Sequence, residues 1–354
     1  MLLPEFYNHL VSPEFEGRLP QEKLATCDDC AMCTRADKSS ESKLVFMPDK
    51  KCCTYHPKLP NFSVGAILSD PSAEAAEGRK RILQKISNQV SISPLGISRP
   101  ADYEVLYGAG QGFFGQSEAL LCPYYIRERG QCSIWRYREA VCATWYCKYE
   151  NGQDGMNVWQ AIRMHLQHLQ KLLSGYAMSE LGFSVDPSAF YPDSQHTDSK
   201  LQSSEIDGTK PDPKFYNNLW KDWSGREEEY YVACYEIVKS LSASEISKMG
   251  GLLLSIYEKK LGDAFRSMEE DLPQYLACNP KMTISRNDDG QYILTTYNVF
   301  DPRAVSEEVF RAIWEFDGKR SVAQTMEALQ EKYGFTVSHG LLRRLFESRI
   351  LIAR

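Results

Sequence analysis

The segment CPYYIRERGQCSIWRYREAVCATWYC, residues 122–147, decides how this chain is built. Nine, nine and four residues separate its cysteines, which are Cys122, Cys132, Cys142 and Cys147. Far upstream, the motif Cys27-x2-Cys30-x2-Cys33 adds three thiols that a turn can direct to one side of a loop. Cysteines grouped this closely are typical of metal ligands or redox groups, and much less often of inert buried thiols.

A third group lies between these two, in the sequence Lys51-Cys52-Cys53-Thr54-Tyr55-His56. Because adjacent side chains seldom point at one ion, the sequence favours one of Cys52 and Cys53 as a ligand and leaves open which. His56 is either an imidazole ligand or part of a structural turn. The candidate metal ligands are Cys27, Cys30, Cys33, Cys52, Cys53, Cys122, Cys132, Cys142 and Cys147.

Eleven cysteines in 354 residues also bear on the compartment of the protein. Their odd number, with an N-terminus that lacks a basic flank and an apolar run, argues against a disulfide framework and predicts a cytoplasmic protein. No run of about 18 apolar residues is present, so no membrane span is expected. The net charge of −6 gives no reason to expect nucleic acid as a partner. Cys234 and Cys278 stand alone and are expected to be inert buried thiols.

The hydrophobic pattern predicts an α+β, mainly helical fold in three parts. Residues 1–155 are expected to form a loop-rich metal-binding domain, residues 156–280 a helical region with a linker at 184–213, and residues 281–354 a small domain. A loop-rich domain needs another source of stability, and a bound metal is one. Helices are expected at 78–90, 158–178, 226–240 and 244–260. The last of these has a capping box at Ser242, but its Gly-Gly pair disfavours an unbroken helix.

The C-terminal part has the order hairpin, three helices, strand, which indicates a small winged-helix domain. An Asn-Asp-Asp-Gly turn joins the two strands of the hairpin. The expected elements are strands at 282–285 and 292–296, helices at 305–316, 322–333 and 338–347, and a strand at 350–352.

Sulfur ligation suits both zinc and iron–sulfur clusters. Finger-type zinc sites usually pair two Cys-x2-Cys knuckles, and this chain has no second knuckle. The Cys-x2-Cys-x2-Cys run with Cys122-Pro123 as a distant fourth ligand is similar to ferredoxin ligation, which favours iron–sulfur over zinc. The remaining cysteines can hold a second centre. Nearby basic residues either donate to the sulfurs or form a solvated surface; they are Arg127, Arg129, Arg136, Arg138 and Lys148.

Together the cysteine motifs, with Gly130-x-Cys132-Ser-Ile-Trp135-x2-Arg138 in the second group, resemble the YkgJ-like family of zinc- or iron-chelating cysteine-cluster proteins. The resemblance covers about residues 24–150 and implies a cysteine-ligated zinc or iron centre. Glu139 departs from it, since the family has a proline there. A related cysteine cluster occurs in the flagellin lysine methylases, so redox or group-transfer modification of a protein is one implied activity. A non-catalytic structural or regulatory metal site is the alternative.

The C-terminal sequence Asp317-Gly318-x2-Ser321-Val322 and the helices around it are similar to the PqqD-like winged helix. That resemblance implies peptide recognition, with a peptide added as a strand along the 291–297 edge and resting on the third helix. DNA is the other natural partner of a winged helix. Residues 281–354 hold 11 Lys or Arg and 10 Asp or Glu, a balance that disfavours DNA. A purely structural role is as well supported as peptide binding.

Overall fold

The structure is a computed structural model that describes residues 3–10, 15, 17–23, 25, 27, 30–33, 46–184 and 210–354. Helix makes up 52% of it and strand 12%, which confirms the expected α+β, mainly helical fold. Across these ranges no helix is long and apolar enough to cross a bilayer. Of the predicted linker, residues 185–209 lie outside the described residues.

The described helices and strands have the following bounds along the chain. The helices are α1 (Asn61–Ser69), α2 (Ala76–Asn88), α3 (Ala101–Ala109), α4 (Ala140–Thr144), α5 (Gly152–Glu180), α6 (Pro213–Trp220), α7 (Glu227–Lys239), α8 (Ala243–Glu269), α9 (Glu307–Ile313), α10 (Val322–Tyr333) and α11 (His339–Glu347). The strands are β1 (Leu59–Pro60), β2 (Ile92–Ser93), β3 (Gly96–Ile97), β4 (Tyr125–Ile126), β5 (Gln131–Cys132), β6 (Tyr275–Cys278), β7 (Thr283–Arg286), β8 (Tyr292–Thr295), β9 (Arg303–Val305), β10 (Asp317–Ser321) and β11 (Leu351–Ala353).

Helix α5 forms the centre of the main body and packs against α4, α7 and α8. Its inner face is fully buried and follows the predicted spacing of three and four: Val158, Trp159, Ile162, Leu166, Leu169 and Leu173. Burying one large apolar side chain of this kind stabilises the fold by about 1.5–3 kcal/mol. The helix begins earlier than predicted, at Gly152, where φ is 52° and an added Cβ would lie 2.2 Å from the Glu347 carbonyl oxygen. Only glycine allows the C-terminal unit to approach this closely.

The other predicted helices of the main body are confirmed as α2, α7 and α8, with shifted ends. Ser242 and Glu245 form the predicted capping box at the start of α8. Gly251, with φ 51° and ψ −144°, interrupts the helical geometry of α8. The helix nevertheless resumes and continues to Glu269, because Leu261 and other residues beyond the interruption are buried in the main core.

Helix α1 is apolar on nearly every side and lies buried against α7. The two helices cross so closely that a Cβ on Gly65 would lie 1.9 Å from the carbonyl oxygen of Tyr231. Strand β1 precedes α1 directly and follows the Cys52-Cys53 loop by a few residues. The helix contact therefore anchors the cysteine loop to the helical core.

The C-terminal unit has its own apolar cluster, separate from the main core. The hairpin, the three helices and the final strand all form near the predicted positions, while strands β6, β9 and β10 are additional. Two three-stranded sheets result, with the strand orders β10-β6-β11 and β7-β8-β9. The expectation of a free peptide-binding edge at 291–297 is wrong, because β8 pairs with β7 on one side and with β9 on the other.

A segment between β8 and β9 joins the C-terminal unit to the cysteine region. The Phe300 ring lies 5.7 Å from the Phe46 ring and 5.7 Å from the Trp145 ring, centroid to centroid. The side-chain amide of Asn298 donates a hydrogen bond to the Cys147 carbonyl oxygen at 3.0 Å. The C-terminal unit therefore forms part of the wall around the candidate site.

Candidate functional site: a cluster of nine cysteines

Six of the nine cysteines that the sequence singles out line one or both of two neighbouring cavities. The first, of about 490 Å³, is lined by six of them: Cys27, Cys52, Cys53, Cys122, Cys132 and Cys142. The second, of about 510 Å³, shares four of these with the first: Cys27, Cys52, Cys53 and Cys132. Each volume is in the range of protein sites that bind small molecules or cofactors. All eleven cysteines of the chain are free thiols.

Backbone hydrogen bonds place Cys53 and Cys122 next to each other. The Cys122 N–H donates to the Cys53 carbonyl oxygen at 2.8 Å. A turn then follows, in which the Tyr125 N–H donates to the Cys122 carbonyl oxygen at 3.1 Å. Tyr125 begins the β4–β5 hairpin and lies opposite Cys132 in its register. The short hairpin thus carries Cys132 back towards Cys53.

A second set of contacts holds the loop of Cys27, Cys30 and Cys33. The Cys33 N–H donates to the Cys30 carbonyl oxygen at 3.2 Å, which closes a turn as the Cys-x2-Cys spacing predicts. The Lys51 ammonium donates to the Cys27 carbonyl oxygen at 2.5 Å and to the Gly130 carbonyl oxygen at 3.0 Å. Lys51 therefore ties this loop both to the Cys52-Cys53 loop and to the β4–β5 hairpin.

Burial and mutual repulsion favour the protonated thiols. Burial first, and the charge of the neighbouring Cys52 second, raise the pKa of Cys27 to about 12. The pKa of Cys147 rises to about 12 for the same two reasons, in the same order. Burial also raises the pKa of Cys132 to about 11. A set of buried thiols of this kind releases its protons readily only when a cation compensates the charge.

Cationic side chains are already present among the thiols. Arg138 is buried, and its guanidinium stacks on the Trp135 ring at 3.6 Å. Its charge lowers the pKa of Cys27 and Cys132, opposing the effect of burial. Lys51 acts in the same direction on Cys27 and Cys33. Among the basic residues around Cys122–Cys147, Arg138 is therefore one whose charge acts on the cysteine thiols.

Two of the other basic residues around this group lie on the surface instead. Arg127 pairs with Glu118, and Arg136 lies 3.6 Å from the Asp70 carboxylate. Their side chains are 44% and 56% exposed, so they belong to the solvated surface. Lys148 is more enclosed, and its charge lowers the pKa of Cys147 against the effect of burial.

Glu139, the residue that departs from the family pattern, is a buried carboxylate on the wall of the first cavity. Burial raises its pKa to about 7, although the backbone N–H groups of Val141 and Cys142 hydrogen-bond to it. Its Oε2 atom has no hydrogen-bond partner among the described residues. Arg163 also lines this cavity, and its charge partly opposes the rise in the pKa of Glu139. The cavity therefore contains a polar group that can exchange a proton near neutral pH.

Aromatic rings enclose the remainder of the first cavity; they are Tyr55, Tyr107, Phe114, Trp135, Trp145 and Phe300. The sequence gives no signal for this wall, because its members come from distant segments. Phe300 belongs to the C-terminal unit, yet it packs against Phe114 and Trp145. These rings give one side of the cysteine cluster an apolar wall.

His56 is placed as a structural residue. Its Nδ1 lies 3.0 Å from the Pro57 carbonyl oxygen and its Nε2 lies 3.4 Å from the Lys85 ammonium. A carbonyl accepts and an ammonium donates, so the ring is the neutral tautomer with its proton on Nδ1. Burial, followed by the charge of Lys85, lowers the pKa of His56 to about 3. Both ring nitrogens are occupied by these contacts, which favours the structural-turn alternative.

Within the part of the chain that the structure describes, no group of three or more His, Cys, Asp or Glu side chains is arranged to hold a metal ion. The chemistry of the donors nevertheless fits a thiophilic centre, because thiols that are buried or partly buried, cationic side chains and a cavity occur together. Metal binding would require the thiols to lose their protons and move closer together. Cys234 and Cys278 lie away from this region, in α7 and β6.

Comparisons with protein-family models, with curated proteins and with solved structures give no match for this chain. The likenesses to the YkgJ-like and PqqD-like families therefore rest on the sequence motifs alone.

Proposed function

We propose that this chain binds a metal centre through its cysteine cluster, an iron–sulfur cluster rather than zinc. The observation that supports the proposal is the convergence of six free thiols, contributed by three separate groups in the sequence, around two adjoining cavities. Buried thiols with no ligand have little reason to gather beside Arg138 and Lys51. Thiolates that bind a metal need both burial and positive charge nearby.

The size of the site favours a cluster over a single ion. A tetrahedral zinc ion has Zn–S bonds of about 2.3 Å and fits among four thiolates without an open space. Six cysteines line the first cavity, two more than one such ion binds. A bound iron–sulfur cluster supplies electron transfer or Lewis acidity. The chain's own residues orient it: Lys51 fixes the loop that carries Cys27, and Arg138 offsets negative charge.

If the protein is an enzyme, the proposal extends to redox or group-transfer modification of a peptide or protein. Glu139 is placed to accept or donate a proton on the cavity wall, because its pKa is about 7 and its Oε2 has no partner among the described residues. The aromatic rings keep water away from the same space. The alternative function is a non-catalytic zinc site that is structural or regulatory, and eleven free thiols accord with a cytoplasmic location for either.

A peptide or protein is a better partner for the C-terminal unit than DNA. Arg343 donates to the carbonyl oxygens of Met268 and Glu270, and Arg349 pairs with Asp154. These two arginines hold the C-terminal unit on the main body and are not free for phosphate groups. Strand β7 is exposed at the end of its sheet, so it is the edge along which a peptide strand can add.

The test is metal analysis of protein purified without oxygen. Iron and acid-labile sulfide in equal amounts, with broad absorbance near 400 nm, are expected. Cys234→Ser serves as the control, since that thiol lies on α7 and lines neither cavity, so its loss should leave the iron content unchanged. Colourless protein with stoichiometric zinc would replace the iron–sulfur proposal with the structural alternative. Protein that takes up neither metal and stays folded in chelator would refute both.

A further inference from the structure

The second cavity is lined by charged residues that the proposed metal centre does not use. Besides four cysteines, its wall contains three basic residues and one acidic residue, namely Lys51, Arg129, Arg136 and Glu74. Arg136 also lies 3.6 Å from the Asp70 carboxylate. Even with Asp70 counted, three positive charges stand against two negative ones at this cavity. The charges therefore favour an anionic ligand.

The first turn of α2 supplies backbone donors at the same cavity. Ala75, the residue before this helix, lines the cavity, and no side chain caps this end of the helix. The first N–H groups of a helix lack acceptors within the helix, and its dipole places partial positive charge there. The Ala76 N–H donates to the Ala73 carbonyl oxygen at 3.2 Å, which leaves the N–H groups of Glu77 and Gly78 for a ligand. An anion beside Ala75 can accept hydrogen bonds from them.

A buried serine lies against this turn. An added Cβ on Gly78 would lie 2.5 Å from the Ser133 carbonyl oxygen, so only glycine lets the two segments approach this closely. Ser133 is 5% exposed and lines the second cavity, and its hydroxyl has no hydrogen-bond partner among the described residues. Burying a hydroxyl without a partner costs free energy, which a ligand that accepts its hydrogen bond would recover.

The arrangement of these donors favours a phosphate group over a carboxylate. They come from three elements: the first turn of α2, Ser133 at the end of the β4–β5 hairpin, and Arg129 in the turn of that hairpin. A phosphate group has more charge and more acceptor oxygens than a carboxylate, so it can accept from all three. The volume of about 510 Å³ also leaves space for the rest of a small molecule beside an apolar wall that includes Ile67, Ile126 and Trp135.

We propose that the second cavity binds a small phosphorylated organic molecule. Its phosphate accepts hydrogen bonds from the first turn of α2, the Ser133 hydroxyl and Arg129, and its apolar part lies against Trp135. The inference goes beyond the proposed function, because none of these groups is a proposed metal ligand. Since Cys132 directly precedes Ser133 and lines the same cavity, a molecule bound here lies beside the proposed metal centre.

Calorimetric titration of the whole chain at constant ionic strength tests this site with three probes: phenyl phosphate, inorganic phosphate and benzoate. Phenyl phosphate should bind most tightly. Inorganic phosphate should bind more weakly because it lacks the apolar part, and benzoate should bind most weakly because it lacks the phosphate. Benzoate that binds as tightly as phenyl phosphate, or a protein that binds neither phosphate, would overturn the proposal.

Two variants with matched controls locate the binding. Ser133→Ala should weaken phenyl phosphate binding about tenfold or more, since a hydrogen bond to a charged group is lost. Ser63→Ala should bind like the wild type, because the Ser63 hydroxyl is likewise buried without a partner among the described residues but lines neither cavity. Arg129→Gln should also weaken binding, whereas Arg127→Gln, whose side chain is 44% exposed and lines neither cavity, should not.

A phosphate can also bind directly to a metal, so the titrations are repeated on protein treated with a chelator. Binding that persists after this treatment and is weakened in Ser133→Ala and Arg129→Gln supports the site. Binding that is lost with the metal and is unchanged in both variants would refute it, while leaving the proposed function intact.

Discussion

Replacing Phe300 with alanine tests whether the C-terminal unit covers the cysteine cavity. Truncation of a fully buried Phe costs about 3–5 kcal/mol. Phe300 is half-buried, but its ring contacts Phe46, Phe114 and Trp145, and aromatic pairs of this kind contribute about 0.5–1.5 kcal/mol each beyond the buried area. We therefore expect Phe300→Ala to lower the free energy of unfolding by about 2–3 kcal/mol.

The matched control is Val299→Ala, one residue away. Val299 is 56% exposed, so its truncation should change the free energy of unfolding by no more than about 0.5 kcal/mol. Guanidinium unfolding followed by tryptophan fluorescence measures both variants, and Trp145 lies beside the substituted ring. Iron release to a chelator should also be faster in Phe300→Ala, because the cavity loses part of its wall. Equal stabilities and equal release rates in the two variants would refute the covering role of Phe300.

Three further predictions concern the helix contact, the buried carboxylate and the lysine bridge. Gly65→Ala should destabilise the protein by about 2 kcal/mol or more in thermal unfolding, because the added Cβ would lie 1.9 Å from a backbone carbonyl oxygen. Gly108→Ala is the control: its added Cβ would meet no atom within 4 Å, so it should be neutral or slightly stabilising. In metal-free protein, the raised folded-state pKa of Glu139 should lower the free energy of unfolding by about 3 kcal/mol as the pH rises from 4.5 to about 7. Denaturant unfolding of Glu139→Gln should lack this pH-dependent loss. Identical pH profiles for the wild type and the variant would contradict the prediction. Lys51→Met should release iron to a chelator about tenfold faster than the wild type, because it loses two hydrogen bonds. Lys58→Met is the control and should match the wild type, since the Lys58 side chain is 61% exposed. Equal release rates in the wild type and both variants would show that the Lys51 bridge does not hold the site.

Local sequence patterns account for most of the helices. The apolar spacing in α5 and the capping box at Ser242 are properties of a few neighbouring residues, and the box forms as expected; a second box forms between Ser321 and Gln324. The start of α5 was missed, because Gly152 is required by a contact with the distant Glu347. The predicted edge at 291–297 failed for a similar reason, since a strand's position in a sheet depends on a partner that its own residues do not reveal.

At the candidate site, too, local sequence patterns were informative and contacts between distant segments were not. Cysteine is rare and chemically specific, so its grouping in the sequence was enough to find the nine thiols that the structure brings near one another. Which of Cys52 and Cys53 is a ligand stays open, because both line both cavities. Glu139 was noticed only as a departure from a family motif, and its raised pKa comes from burial that the sequence does not show. Nothing in the sequence indicated that Phe300 belongs to the wall of the site.

The segment between β8 and β9 has a thermodynamic consequence. One of its residues holds the Cys147 backbone and another lines the cysteine cavity, while its two ends are strands of the C-terminal sheet. If a metal on the thiols and a peptide on the sheet both bias the position of this segment, each would alter the affinity for the other by the same factor. A few residues of connecting chain would then let a partner protein distinguish the loaded form from the empty one.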